Sequence, residues 1–409
     1  MNILGVEDFG IYNVVGGIVA MFGFINGSMT SATQRYLTFE LGQNNRAQLT
    51  KVFSTSLSIH GIISFLIIVL AETVGLWFLW NKMQIPADRM NAAFWVFQCS
   101  VAASVIMIMS VPYNAAIIAH ERMSAFAYIS IIEVSLRLLI VCFLRYFHTD
   151  KLILYAALIV IVQFLIRLCY SWYCNRHFNE TKYRWSWDKG LFKEMTGFAS
   201  WNMFGSLAAI TFTQGLNLLL NMFFGPVVNA ARGIAVQAQT AIGQFSSNFQ
   251  TALNPQITKS YATGDMEYMH GLIFRSAKFS FFLLLLLSLP VLIETKAILT
   301  LWLKIVPDHT VVFLRIMLCT TWVYAVSNPL ITAASATGKI KLYQSVVGGL
   351  LLLILPISYL CLRFGLPAYS VFIVHFVMEI TAQFARLLML RRMIRLSLRE
   401  YFAKVIWSI

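Results

Sequence analysis

Residues His60–Trp80 read HGIISFLIIVLAETVGLWFLW, and residues Phe279–Trp302 read FSFFLLLLLSLPVLIETKAILTLW. Each stretch is long and apolar enough to cross a bilayer, which takes about 20 such residues. Each also carries Glu-Thr followed by tryptophan at one spacing: Glu72-Thr73 with Trp80, and Glu294-Thr295 with Trp302. Hydropathy alone specifies neither the acid nor its place, so the match reads as an internal repeat of membrane spans. Other matches surround it. Gly5, Gly23 and Ala32 find Gly225, Gly243 and Ala252, and Pro112, Ala116, Ala119 and Arg122 find Pro329, Ala333, Ala336 and Lys339.

The rest of the composition agrees with a membrane protein. Of 409 residues, 59% are hydrophobic and only 12% charged, against about 25% charged in a soluble domain. Such a chain could not cover a soluble surface, which excludes a soluble globular enzyme. Its apolar content also excludes disorder. The net charge of +14 does not point to nucleic acid, because no basic–aromatic module accompanies it. Cytoplasmic loops of membrane proteins collect Lys and Arg in the same way. Six cysteines lie in or beside apolar runs without a CxxC pair; they read as small apolar residues, not as ligands or disulfides. The N-terminus lacks the basic start of a cleavable signal peptide.

Eleven apolar segments follow along the chain: 9–34, 53–80, 91–119, 123–147, 152–175, 197–224, 226–256, 273–303, 310–337, 341–364 and 367–390. The fold class expected is all-α, a polytopic membrane protein of two bundles with five and six visible spans. The expected divisions are 1–178 for the first bundle, 179–196 for an interfacial linker rich in charge and tryptophan, 197–390 for the second bundle, and 391–409 for an amphipathic tail. Loops assigned to alternate sides divide the bases unequally. The side that includes the linker and the basic C-terminal end carries 20 Lys and Arg, the other side seven, and Arg137, Arg167, Arg232 and Arg315 fall inside spans. The bias puts the C-terminus in the cytoplasm.

The offset of about 220 pairs the spans in the same direction, so the repeat is parallel about an axis along the membrane normal. Span 197–224 has no counterpart in the first half. The expectation is a six-plus-six pattern whose first helix precedes this sequence; the alternative is an eleven-helix variant.

At this point a family resemblance emerges. Leu4-Gly-Val-Glu-Asp-Phe-Gly-Ile-Tyr-Asn-Val-Val-Gly-Gly17 resembles the second-helix entry of polysaccharide flippases. These are O-antigen and exopolysaccharide exporters of the multidrug/oligosaccharidyl-lipid/polysaccharide (MOP) superfamily. Phe224-Gly225, Asn229-Ala-Ala-Arg232-Gly233, Asn254-Pro-Gln256 and Ser260-Tyr-Ala-Thr-Gly264-Asp265 resemble their seventh and eighth helices. The resemblance implies a MATE-like fold of two pseudo-symmetric bundles. It also implies a flippase in the bacterial inner membrane that moves an undecaprenyl-diphosphate-linked oligosaccharide by alternating access. Its implied partners are that substrate, membrane lipids and polysaccharide polymerase or assembly proteins. A cation-coupled multidrug exporter of the same superfamily is the other reading, weakened because 197–224 and 310–337 contain no Asp or Glu.

No catalytic, metal-binding or phosphate-loop motif occurs, so no enzyme, metal or cofactor is expected. Polar residues inside spans are costly and mark cavities. The densest set is on 202–256, where Asn217, Asn221, Asn229, Gln239, Gln250 and Asn254 offer amides suited to sugar hydroxyls. The other reading of these amides is helix–helix glue. Arg232, Gln239 and Gln250 share a helical face. Arg232, Arg137, Arg167 and Arg315 suit a lipid diphosphate, since guanidinium binds phosphate bidentately. Each also has a structural reading: Arg137 can pair with Glu133 on its own helix, and Arg167 and Arg315 lie near span ends where they can snorkel. His375 and Glu379, four apart in the last span, form either a proton-coupling pair or a structural contact.

Overall fold

A computed structural model describes residues 8, 10–12, 15–16, 23–83, 85–144, 150–182, 188–304 and 306–409. Its regular structure is helical, with no strand among the described residues. Contacts gather the chain into two compact units, Met1–Ala199 and Ser200–Ile409.

The first unit contains α1 (Gly23–Gly42), α2 (Arg46–Leu70), α3 (Leu76–Asn81), α4 (Met90–Ala119), α5 (Met123–Phe143) and α6 (Lys151–His177), and the start of α7 (Lys189–Phe224). Polar residues just outside the apolar runs start the helices. Asn45 caps α2 by accepting from the Gln48 amide at 3.1 Å, and Asp150 caps α6 by accepting from Leu152 at 3.0 Å, each satisfying an orphan donor. Helix α4 is the hub, packed on α1, α2 and α6. Its small residues Ala92, Ala93, Ala115 and Ala116 are buried and let neighbouring backbones come close.

The second unit contains most of α7, then α8 (Pro226–Thr263), α9 (Met266–Ile293), α10 (Thr295–Leu303), α11 (Thr310–Ala336), α12 (Lys341–Arg363), α13 (Ser370–Met393) and α14 (Leu398–Lys404). Gly225 turns the chain between α7 and α8 at φ 80°, a left-handed conformation that favours glycine. Pro226 follows at the first helical position, where its missing N–H costs nothing. Gly215 allows α7 to lie against α12: a Cβ there would stand 2.4 Å from Leu355 Cδ2. Helix α11 is the hub, packed on α8, α9 and α13.

The two units build their repeat-equivalent parts alike. Hubs α4 and α11 contain the matching prolines, Pro112 and Pro329, both buried. The Glu-Thr pairs mark an irregularity in each unit. In the first, a wide π-helical turn at Ala71–Gly75 joins α2 to α3. In the second, the helix breaks at Glu294 between α9 and α10. Thr73 and Thr295 both donate back to the fourth preceding carbonyl at 2.6 Å. Trp80 and Trp302 are both about half exposed, as suits a span end at the interface.

Among the described residues, nine helical segments are long and apolar enough to span a membrane. Their outer faces carry Phe65, Leu286 and Met222, each more than two thirds exposed. A water-facing surface would not tolerate so much exposed apolar area. The chain is a polytopic membrane protein. The nine differ from the eleven read from sequence for two reasons. Segment 9–34 is only partly described. The 226–256 segment does form a helix, the 38-residue α8, but its polar residues keep it outside the nine.

Two boundaries differ from the sequence reading. Helix α7 begins at Lys189, within the segment read as an interfacial linker. Asp188 caps it, accepting from Leu191 at 3.0 Å, and Leu191, Met195, Phe198 and Ala199 form a buried helical stripe. Of the linker's aromatic residues, Trp185 and Trp187 lie outside the described residues. The tail, read as one amphipathic helix over 391–409, is broken. Helix α13 ends at Met393, Arg395 takes φ 54°, and α14 spans seven residues. Ile394, Leu396, Tyr401 and Val405 are buried in the second unit's core. Their spacing fits no single helical face, so the chain folds back to bury them.

Candidate functional site

Helix α8 presents two unlike polar faces. On one, Gly233, Gln237, Thr240, Gln244 and Asn248 recur at helical spacing and remain exposed. Gln244 donates to Asn248 at 2.8 Å along this stripe. A span face of amides and small residues is too polar for hydrocarbon and belongs against water or a polar ligand.

The opposite face packs on α11. Gln239 donates to Thr321 Oγ1 at 2.7 Å and to the Met317 carbonyl at 3.3 Å. Gln250 donates to the Ala325 carbonyl at 2.8 Å, and Thr332 donates to Asn254 Oδ1 at 2.8 Å. The structure therefore assigns Gln239, Gln250 and Asn254 to interhelical hydrogen bonding. Gln237, Gln244 and Asn248 hold the open positions. Sequence spacing separates these two sets, but it does not say which face the neighbouring helix covers.

Near the start of α8, Arg232 is buried, 6% exposed. Its guanidinium donates to Asn217 Oδ1 on α7 and, at 3.0 Å, to the Thr213 carbonyl. Asn217 donates in turn to Gln214 at 3.0 Å. Two buried atoms on the same face, Arg232 Nε and Asn229 Oδ1, have no hydrogen-bond partner among the described residues. Leaving each unpaired costs about 1–3 kcal/mol. An unpaired donor and an unpaired acceptor one helical turn apart offer sites to a group that both accepts and donates. Asn221 is exposed one turn beyond Asn217.

A second buried polar cluster lies on α13. Glu379 accepts from Arg386 at 2.7 Å, with both side chains 5% exposed or less. Arg386 also donates to Ser327 on α11 at 3.1 Å and to Tyr343 on α12 at 3.3 Å. Ser327 donates to Gln383 at 2.6 Å, and Gln383 donates to Tyr401 on α14 at 3.1 Å. Glu379 is thus paired with Arg386, seven residues on, and not with His375. The His375 ring packs on Phe212, centroids 4.9 Å apart, within electrostatic reach of both Glu379 and Arg232. Arg386 escapes the sequence reading because it adjoins Arg391 and Arg392, so a charge count merges it with the basic tail. Its spacing from Glu379 was the available signal.

The remaining arginines do not join these clusters. Arg137 is half exposed and pairs with Glu133 at 2.5 Å, which also accepts from Gln163 at 3.3 Å. Arg167 is half-buried on α6. Arg315 stabilises the break at Glu294, donating to Thr295 Oγ1 at 3.1 Å and to the Ile293 carbonyl at 3.4 Å. Its repeat counterpart Gln98 does similar work in the first unit, donating to Glu72 at 3.2 Å.

The first unit's interior is different. Thr33 and Ser56 share a hydrogen bond of 2.9 Å, and His60 Nδ1 donates to the Ser56 carbonyl at 2.7 Å. At one end of this unit His120 bonds Glu180 at 2.5 Å. Burial alone would raise the Glu180 carboxyl; the hydrogen bond from His120, a backbone hydrogen bond and the nearby charges of His120 and Arg46 together outweigh it and hold the group below the ordinary carboxylate range. No cluster suited to a metal ion occurs among the described residues.

Duplicated helical units, with exposed amides along a membrane-length helix, define a polytopic helical membrane protein. Solved structures agree. The fold is similar to an outward-facing multidrug resistance MATE family transporter of the MOP superfamily, with TM-score 0.81 at 13% identity, over 96% of this chain and 89% of that one. It is similar to the Vibrio cholerae MATE transporter VcmN in its bent form, with TM-score 0.79 at 16% identity, over 98% and 91%. A MOP superfamily transporter from Pyrococcus furiosus gives 0.75 at 13%, over 96% and 93%. No curated protein matches in sequence. The model of the polysaccharide biosynthesis protein family matches residues 1–261, and the chain belongs to that family.

Proposed function

We propose that this protein is a flippase that moves a polyprenyl-diphosphate-linked oligosaccharide, of the undecaprenyl type, across the bacterial inner membrane by alternating access. One observation carries the reading: buried Arg232 Nε and the buried Oδ1 of half-buried Asn229 keep an unpaired donor and acceptor on a helix that also carries an exposed amide stripe. Guanidinium suits phosphate, and uncharged amides suit glycan hydroxyls. The C-terminus lies in the cytoplasm on this reading, and polysaccharide polymerase or assembly proteins are its partners. His375 and Glu379 carry coupling: protonating Glu379 would release Arg386 and rearrange the contacts it ties together.

Surface glycan display in a strain lacking the gene, complemented with the full natural coding sequence, tests the proposal. Arg232→Ala should lose display while protein level is unchanged; full rescue by this variant removes Arg232 from the site. The likeness to a multidrug resistance transporter favours a second reading, drug export. Failure of the wild-type gene to restore glycan, with raised drug resistance, would establish that reading instead.

A further inference from the structure

Away from the polar sites, the second unit contains an apolar groove of about 380 Å³ between α9, α11, α13 and the folded-back tail. Phe281, Trp322, Phe376 and Phe384 line it, with Phe402 and Ile406 from the tail. The indole N–H of Trp322 is already satisfied by Ser288 at 2.8 Å. The one amide in the wall, Gln383, is engaged at both ends by Ser327 and Tyr401. The groove therefore offers a ligand no free hydrogen-bonding group, and an occupant must be hydrocarbon along this length.

One end of the groove is basic. His270 bonds the Ile394 carbonyl at 3.1 Å, which brings the start of α9 beside the end of α13. Helical spacing carries each lining face toward this end onto a cation. Phe384 and Leu387 lead to Arg391, Phe281 leads back to Lys278, and Phe402 shares its face of α14 with Arg399. Arg391 and Arg399 are exposed, and neither pairs with an acid among the described residues. Nearby Glu400 is held by Lys404 at 2.8 Å. An apolar groove whose lining faces lead, by helical spacing, to Lys278, Arg391 and Arg399 on three elements is complementary to a ligand with a long apolar chain and an anionic head.

We infer that this groove is a binding site for one anionic membrane phospholipid, an acyl chain along Phe384 and Trp322 and the phosphate at Arg391, Arg399 and Lys278. The lipid spans α13 and the tail, and so fastens α14 to the bundle. The charge complementarity selects an anionic lipid over a zwitterionic one.

The test uses the full chain in phosphatidylcholine nanodiscs containing a trace of phospholipid with a photoreactive acyl chain, as phosphatidylglycerol or phosphatidylcholine. Labelled peptides are mapped after irradiation. Labelling within 319–326 and 376–387 should favour phosphatidylglycerol on the order of tenfold. The preference should vanish in Arg391→Ala/Arg399→Ala, both exposed positions whose loss leaves the core intact. A second variant, Val323→Phe, fills the groove and should reduce labelling by either lipid. Equal labelling by the two lipids, an unchanged preference in the double variant, or labelling only elsewhere would overturn the site. Displacement by unlabelled polyprenyl diphosphate, but not by unlabelled phosphatidylglycerol, would also overturn it and reassign the groove to the transported lipid.

Discussion

The two units share a packing plan and differ in what they bury. In each, a proline-bearing hub helix packs on three neighbours, and a Glu-Thr pair interrupts the preceding span. Yet the polar groups buried in the first unit, among the described residues, are hydroxyls such as Thr33 and Ser56 and the imidazole of His60, which bond locally or to one adjacent helix. The second unit buries Arg232 and the Glu379–Arg386 pair. At the offset that relates the halves, Arg232 corresponds to Tyr12, which packs edge-on against Tyr155 at 5.1 Å. Asn248 and Gln250 correspond to Ser28 and Thr30. A repeated backbone plan thus tolerates divergent interiors, because hub packing depends on small buried residues while charge sits where neighbours can satisfy it. Among the described residues, the buried full charges, with their energetic cost and chemical capacity, lie in the second unit.

Removing one charge is the largest perturbation of that contrast. Arg386→Ala leaves Glu379 buried without its cation and should cost ~3–5 kcal/mol, read by thermal unfolding in detergent. Glu379→Leu with Arg386→Met should recover most of the loss, as replaced buried pairs do. In the first unit, Ser56→Ala should cost only about 1 kcal/mol. Equal losses in the two units would erase the distinction.

The two faces of α8 provide a finer test. Gln250→Leu leaves the buried Ala325 carbonyl without its donor and should cost ~1–3 kcal/mol. Gln244→Leu, on the open stripe, should change unfolding by less than about 0.5 kcal/mol yet lower glycan display. A reversed pattern would show that the stripe is packed and the other face functional.

The smallest effect concerns pH. Because the Glu180 carboxyl is held below its ordinary value by His120, its stabilisation is present above the unfolded value and lost as pH falls through the lowered one. The Tm difference between wild type and Glu180→Gln should hold steady near neutrality. It should close below the ordinary carboxylate pKa of about 4.3 and be worth no more than ~1 kcal/mol for this part-buried pair. A difference that grows on acidification would contradict the assignment.

Much of this was legible in one dimension. The two quoted stretches revealed spans and duplication, since apolar runs of about 20 residues have few alternatives; the irregularity they share came from the structure. The Glu133–Arg137 pair was visible as opposite charges four residues apart, and Arg232 and Asn217 were each visible as polar residues inside apolar spans. Arg386 was hidden in a basic run. Tail burial was hidden because Ile394, Leu396, Tyr401 and Val405 obey no single periodicity.

The amino-acid sequence by itself determined that this protein lies in a membrane, that it is built twice on one plan, and which helix is rich in amides. Hydropathy and residue spacing are local properties, so these follow from the chain alone. Only the tertiary structure decided which amides are glue and which stay open, that Glu379 answers to Arg386 and not His375, and that the tail closes an apolar groove. Periodicity places side chains around a helix axis. Burial and pairing depend on which neighbour covers each face, which is settled when the helices pack.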